Sequence, residues 1–500
     1  MKKINFKLSF KWFLPFVVLI ILLFVLPLFF INDKKQNLLS SYNMILAYDD
    51  DNHTLEGKEV VTYYNNSENL FTHIYFHLYP NAFREGAKNK VVSLSNTKEA
   101  YPNGESYGKI QIKRVFSKDQ DLKYQITGED ENILAVELLQ PIYPDEFVEI
   151  SIDFITCLAN INHRLGYGDN TINLGNFYPI ACVYENGKGF SQSLYHSNGD
   201  PFYSDCANYE VVVKCDSKFS IASSGDLKKS TTSNGIKENQ YKGSNIRDFC
   251  LVLSEKFEKT SRLFDGVEVN YYGYKGDDNL NKCLQVAVDA LKTFNEMFGK
   301  YPYSQLSVVK SNFIHGGMEF PNIVLISDQV EGDADYNYVI VHEIAHQWWY
   351  GVVGNDEYNH AWQDEGLAEY STLLFYKKNQ DYGENFENMI TSANNSYKLF
   401  EEVFVRVQGY VDGRMDRPVC DFKTEPEYIQ CTYTKGVLLF NNIKELIGEK
   451  KFINALGEYY QSFKYQNATC EDLIAVFVDY GGAKIEKVFA TWLEGKVIFK

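Results

Sequence analysis

The sequence predicts an α+β chain in three parts: an N-terminal transmembrane helix, an all-β saddle or sandwich domain, and a mostly α-helical domain. Three observations carry this. Residues 12–31 form an uncharged apolar run. Residues 36–258 hold short β-branched and aromatic segments separated by Asn, Asp and Gly clusters. From about residue 259 apolar residues recur at helical spacing. At 500 residues the chain is about three times the usual length of one domain, which favours such a division. With 45% apolar and 15% aromatic residues it can bury sizeable cores.

Trp12 to Ile31 reads WFLPFVVLIILLFVLPLFFI, twenty residues without a charge. That length suits a hydrocarbon core about 30 Å thick. Lys2, Lys3, Lys7 and Lys11 precede it, so the positive-inside rule puts residue 1 in the cytoplasm, with Lys34 and Lys35 weakening the bias. The run ends in Leu28-Phe29-Phe30-Ile31-Asn32 and not in the small residues of a cleavage site, so the expectation is an uncleaved anchor over residues 1–35. Everything after it is expected outside the cell membrane.

Net charge is −17, and residues 1–35 carry six Lys against one Asp, which leaves −22 on the rest. A body so acidic is repelled by phosphate backbones, which argues against a nucleic-acid partner and for a soluble monomer. Nine cysteines at 157, 182, 206, 215, 250, 283, 420, 431 and 470 show none of the close pairs of zinc ribbons or redox dithiols. They read as buried small apolar side chains.

Strands are predicted at Glu59–Tyr64, Phe71–Leu78, Phe147–Phe154, Tyr209–Lys214 and Phe249–Leu253, then at Val267–Tyr274, Gln305–Lys310 and Phe313–Ile326. Helices are predicted at Leu280–Phe298, stopped by Gly299, and over 334–350, 361–377, 384–403, 434–447, 450–463, 469–479 and 485–495.

Residues 342–346 read His-Glu-Ile-Ala-His. Positions i and i+4 share a helix face, so His342 and His346 can offer ring nitrogens to one ion. Glu343 sits where it can take a proton from a metal-bound water, whose pKa zinc lowers to about 7. A chance match to this pattern in a chain of this length is on the order of 1%. Two histidines leave zinc short of its usual three protein ligands. Glu365, nineteen residues past His346 in Trp362-Gln363-Asp364-Glu365-Gly366-Leu367-Ala368-Glu369-Tyr370, supplies the third on the next predicted helix. Asp364 or Glu369 could orient a ligating imidazole, and spacing does not choose between them.

The runs V-H-E-I-A-H-Q-W-W-Y-G and D-E-G-L-A-E-Y resemble the gluzincin aminopeptidases, the family of aminopeptidase N and leukotriene hydrolase. The resemblance covers about residues 40–500. It also rests on Gly316-Gly317-Met318-Glu319, on Tyr433-Thr434-Lys435-Gly436, and on Tyr178-Pro179, Gly199–Asp205 and Ser223-Ser224-Gly225 in the β part. It implies a thermolysin-like catalytic domain over 259–500 behind a β saddle, with one zinc on His342, His346 and Glu365. It further implies Glu343 as general base, Tyr433 steadying the oxyanion, Glu319 binding the substrate's free α-amine, and the Gly316–Met318 backbone lining the peptide. Phe320 replaces the family's Asn after that Glu. A second amine-binding residue in the β domain finds no match, and the family's helical C-terminal domain is expected to be absent.

The function expected is a membrane-anchored zinc aminopeptidase acting on peptides. Two alternatives are a zinc endopeptidase on the same site and a catalytically inactive membrane-tethered peptide-binding protein. Of the remaining histidines, His73 and His77 read as packing residues and His53, His163 and His196 as loop residues. His315 is a candidate for touching substrate, and His360 for supporting a ligand.

Overall fold

Alternating burial organises the first half of the chain. Along Ser41–Asp49, Tyr42, Met44, Leu46 and Tyr48 point inward while their neighbours face solvent, the period-two pattern of a sheet covered on one face. In the computed structural model, which describes residues 38–496, this strand sits inside an eight-stranded sheet. The order is Asp226–Ser233, Ile236–Ile246, Ala207–Asp216, Ser41–Asp49, Thr54–Tyr64, Phe147–Cys157, Lys109–Ser117 and Gln120–Asp121. Its pairings are antiparallel except that of Ser41–Asp49 with Ala207–Asp216, which is parallel. A parallel neighbour needs a long return, and residues 50–206 make it. Two four-stranded sheets, one around Phe71–His77 and Ile133–Ile142, the other around Ile172–Leu174 and Leu251–Ser254, pack into the same core.

A five-stranded sheet opens the second half, in the order Phe257–Phe264, Val267–Tyr274, Gln305–Ser311, Ile323–Ser327, Gly317–Met318. The Leu280–Phe298 helix is the crossover between two of its parallel strands. Both faces of this sheet are covered, which is why Gln305–Ser311 is buried at every position but Lys310 and Ile323–Ser327 is buried throughout. Leu306, Val308, Val324 and Ile326 pack with the helices, whereas Val309, Ile323 and Leu325 pack with the β half. The sheet therefore joins the two cores. The single strand predicted over Phe313–Ile326 is two strands, broken where Pro321 precedes Asn322 at φ 65°.

Beyond the sheet the chain is helical: Asp333–Ala345, Glu357–His360, Trp362–Lys378, Phe386–Gln408, Glu425–Ile429, Lys435–Ile447, Glu449–Phe463, Cys470–Gly481 and Ala483–Leu493. Arg247, fully buried, locks the two halves together. It donates to the carbonyl of Tyr350 at 2.9 Å and of Gln466 at 3.1 Å, and to that of Ser204.

The fold class needs one correction. Among the described residues no helix is long and apolar enough to cross a membrane. The architecture is a β-sheet half followed by a mostly helical half, and the transmembrane helix expected over residues 12–31 lies outside the described residues. All nine cysteines are unpaired, with Cys420 exposed and Cys157 half-buried.

Candidate metal centre and cleft

The helix Asp333–Ala345 ends one residue short of His346, not at residue 350 as its apolar spacing suggests. His346 is its C-cap and keeps helical dihedrals (φ −61°, ψ −16°), so the i, i+4 relation survives. The chain then turns sharply, with Tyr350 at φ 123° and the amide of Tyr350 donating to the carbonyl of Val353 at 2.8 Å.

Three donor atoms meet at the end of this helix. Nε2 of His342 and Nε2 of His346 lie 3.2 Å apart. Oε2 of Glu365, from the Trp362–Lys378 helix, is 3.4 Å from the first and 3.3 Å from the second. All three residues are buried, and the group is compact enough to hold a metal ion. Glu319, His346 and Asp364 also cluster, but Asp364 accepts from Nδ2 of Asn355 at 2.8 Å.

The far side of each imidazole is held as well. Nδ1 of His342 stands 2.8 Å from Oε2 of Glu369. Nδ1 of His346 is 3.0 Å from the main-chain oxygen of Trp349 and 3.8 Å from Asp364. With Nδ1 facing an acceptor in each ring, Nε2 is left to bind the ion. Of the two acidic candidates, Glu369 supports His342, and a backbone carbonyl does the equivalent for His346.

Glu343 lies beside the triangle, and its Oε2 has no hydrogen-bond partner. Burial pushes its carboxyl up to about 7, against the pull of the His342 and His346 rings. Burial also opposes ionisation of Glu365, but hydrogen bonds from His342 and His346 outweigh it and hold that carboxyl at about 2. Tyr433 falls in a π-helical turn, Gln430–Thr434, ahead of the Lys435–Ile447 helix, and its hydroxyl donates to Oε1 of Glu365. π-Turns of this kind re-aim a side chain without ending the helix. Burial raises the Tyr433 phenol well above its usual range, so it remains a donor.

Gly317–Met318 is the edge strand of the five-stranded sheet, so one side of its backbone is free of sheet pairing. Gly316 is exposed. Gly317 cannot be replaced cheaply: a Cβ there would stand 2.3 Å from Oε1 of Glu343. The Met318 side chain is fully buried in the β core, which leaves only its backbone to the cleft. Glu319 follows, buried, with Oε1 unpartnered. Burial and the surrounding Asp200, Glu343, Glu365 and Asp364 raise its carboxyl well above the usual range. Gln347 fixes the strand against the metal helix by accepting from the amide of Asn322 at 2.8 Å and facing the carbonyls of Glu319 and Phe320 at 3.3 Å. Phe320 turns away from the cleft and packs on Gly175, where a Cβ would lie 2.2 Å from its ring.

Gly316, Gly317, His342, Glu343, Glu369 and Tyr433 line a cleft of about 540 Å³ between the two halves. Two residues in its wall carry no role in the sequence reading. Arg164 and Asp200 form a buried ion pair from the β half, and the charge of Arg164 also reaches Glu319. Asp200 stands in the Gly199–Asp205 motif, whereas nothing local announces Arg164. His315 lines the same cleft, and His163 is buried behind it with ring centroids 5.7 Å apart. His360 instead pairs with Asp416, its Nδ1 2.6 Å from Oδ1.

Residues 283–492 match the peptidase family M1 domain. Among curated proteins, the chain is 26% identical over 245 residues to aminopeptidase M1-D of Oryza sativa, covering 46% of this chain and 27% of that one. It is 25% identical over 395 residues to human endoplasmic reticulum aminopeptidase 2, covering 72% of this chain and 39% of that one. The matched region thus spans well under half the length of these relatives. Among solved structures, the M1 zinc metallopeptidase from Deinococcus radiodurans superposes with a TM-score of 0.64 at 16% identity, covering 92% of this chain and 94% of that one. Residues 283–492 thus match a peptidase family M1 domain, and the chain is similar to aminopeptidases of that family, with the solved metallopeptidase sharing its fold.

Proposed function

We propose that the chain is a zinc-dependent aminopeptidase that removes residues from the free N-terminus of peptides. The observation that carries this is the triangle of His342, His346 and Glu365, with edges of 3.2–3.4 Å, set beside the unpartnered carboxylates of Glu343 and Glu319. Two imidazoles and one carboxylate suit zinc, and ligands at about 2.0–2.1 Å in a tetrahedron stand about 3.3 Å apart. Bound there, zinc supplies Lewis acidity, polarising a scissile carbonyl and lowering the pKa of a water.

The remaining work falls to the chain. Glu343 takes the proton of the attacking water and passes it to the leaving amine. Tyr433 turns its hydroxyl from Glu365 to the developing oxyanion. The Gly317–Met318 edge offers backbone groups to an extended peptide. Glu319, a buried carboxylate among other carboxylates, is stabilised by the α-ammonium of a free N-terminus. Phe320 does not enter this amine site, so its departure from the family's Asn leaves Glu319 available, and that favours the exopeptidase over the endopeptidase. A Deinococcus radiodurans M1 zinc metallopeptidase variant, at a TM-score of 0.63, is solved with the substrate Tyr-Ser-Ala bound, which supports a peptide ligand.

The test is the ratio of kcat/KM for free and N-acetylated forms of one peptide. Losing a partly desolvated charge pair costs about 2–5 kcal/mol, so the free form is expected to be roughly 30- to 4000-fold better. Glu319→Ala should erase most of that ratio while zinc content stays constant. A ratio near one in the wild type would overturn the aminopeptidase and leave an endopeptidase.

A further inference from the structure

We propose a second metal site, separate from the catalytic triangle, in which His360, Asp416 and Cys470 hold a divalent ion of the zinc class. The three residues offer donor atoms that all lie within 4.8 Å of one another. They come from three elements distant in sequence: the end of the Glu357–His360 helix, the loop before Pro418, and the first residue of the Cys470–Gly481 helix. One nitrogen, one oxygen and one sulfur make a donor set of intermediate softness, which favours zinc over magnesium or calcium.

The geometry is close to what such an ion requires. Zinc ligands at about 2.0–2.3 Å in a tetrahedron stand about 3.3–3.8 Å apart, and Sγ of Cys470 is 3.9 Å from Oδ1 of Asp416. The His360–Asp416 contact at 2.6 Å is a hydrogen bond that the ion replaces, the pair parting by about 0.7 Å to reach a ligand–ligand edge. The indole N–H of Trp362 donates to Oδ1 of Asp416 at 3.0 Å and orients the carboxylate, as outer partners do in metal sites.

The site has an entry path. His360 and Asp416 form part of the wall of a separate cavity of about 380 Å³, which is also lined by Asp356 and Glu185. The two cations on that wall are already engaged: Lys188 with Glu185 at 2.6 Å, and Arg417 with Asp412 and Glu427, each at 3.0 Å. A fourth coordination position open to this cavity takes water. Burial holds the Cys470 thiol protonated without an ion, so binding sends that proton to solvent as the metal–sulfur bond forms. The bound ion ties the start of the Trp362–Lys378 helix, which carries Glu365, to the C-terminal helices.

Cobalt substitution distinguishes the two sites. The catalytic triangle contains no sulfur, so a thiolate-to-cobalt charge-transfer band in the near ultraviolet that Cys470→Ser removes and Cys420→Ser keeps reports Cys470. The full chain, stripped with chelator and reloaded with Co²⁺, should show this band, and wild type should bind one equivalent more than Cys470→Ser. Cys470→Ser and, independently, His360→Ala should each lose the band while peptide hydrolysis persists. Absence of the band in cobalt-loaded wild type, or its survival in Cys470→Ser, would overturn the site whatever the catalytic triangle does.

Discussion

Gly366 and Gly436 touch across two helices. A Cβ on Gly436 would stand 2.6 Å from the Cα of Gly366, with the Gly366 main chain around it. The contact sets the distance between the Trp362–Lys378 helix, which carries Glu365, and the Lys435–Ile447 helix, which follows Tyr433. The glycines of the Asp-Glu-Gly and Lys-Gly motifs therefore govern how near the phenol comes to the metal ligand, although neither has a functional group.

Gly436→Ala should push these helices apart. Overpacking against backbone costs about 1–3 kcal/mol, and Tyr433 should be displaced, so kcat falls while zinc stays bound. Gly366→Ala meets its nearest atoms at 3.1–3.2 Å, partly the edge of the Phe440 ring, and should cost less. Urea denaturation and steady-state kinetics on both variants check the order; equal costs would contradict the close-contact account.

Replacing His342, His346 or Glu365 by Ala should strip the zinc, because each supplies one of three protein ligands. Glu343→Gln should retain the metal and lose about 10²- to 10⁴-fold in kcat, the usual range for a general base. Zinc analysis beside kinetics separates the two classes. Near-normal turnover in Glu343→Gln would remove it from proton transfer.

Glu369 acts on the metal through the Nδ1 of His342, 2.8 Å away. Glu369→Gln should weaken zinc binding by about 10- to 100-fold, read by competition with a chromogenic chelator. Asp364→Asn should have a smaller effect on affinity, since His346 is oriented chiefly by the Trp349 carbonyl.

The share of stability that depends on neutral His77 and His163 should fall as the solution is acidified from about pH 6.5 toward 4. Burial depresses His77 to about 4, and neither of its nitrogens has a partner. Burial, with Arg164 and His315 adding to it, holds His163 well below its usual range. An unfolded imidazole titrates near about 6.5, so in this window the unfolded chain binds protons that the fold refuses. The contribution of these two rings is complete above the window and lost through it. His77→Phe should keep the stack on Tyr79, whose ring centroid is 4.7 Å away, and flatten the acid limb by up to one proton. Denaturant midpoints across pH measure this; an unchanged slope would mean that His77 is solvated.

The sequence by itself determined whatever depends on a turn or two of chain. The i, i+4 relation of His342 and His346, Glu343 beside them, and the change from strand-like to helical texture in mid-chain were legible, because spacing on a helix or strand dictates which side chains share a face. The strands Ser41–Asp49, Lys109–Ser117 and Ile133–Ile142 and the separate Gly317–Met318 edge were not. Even the early end of the helix at Ala345 left His346 in place, since a C-cap residue retains helical dihedrals. Tertiary structure decided the rest. Glu369 rather than Asp364 supports His342 because the two ligand helices cross where they do. Phe320 leaves the cleft because Gly175, far back in the chain, leaves room for its ring. Arg164 reaches Asp200 and Glu319 from the β half, and His360, Asp416 and Cys470 converge from three segments up to 110 positions apart. Contacts of this kind are set by how whole sheets and helices pack, and no local periodicity encodes the distance between two side chains that meet only after the chain has closed.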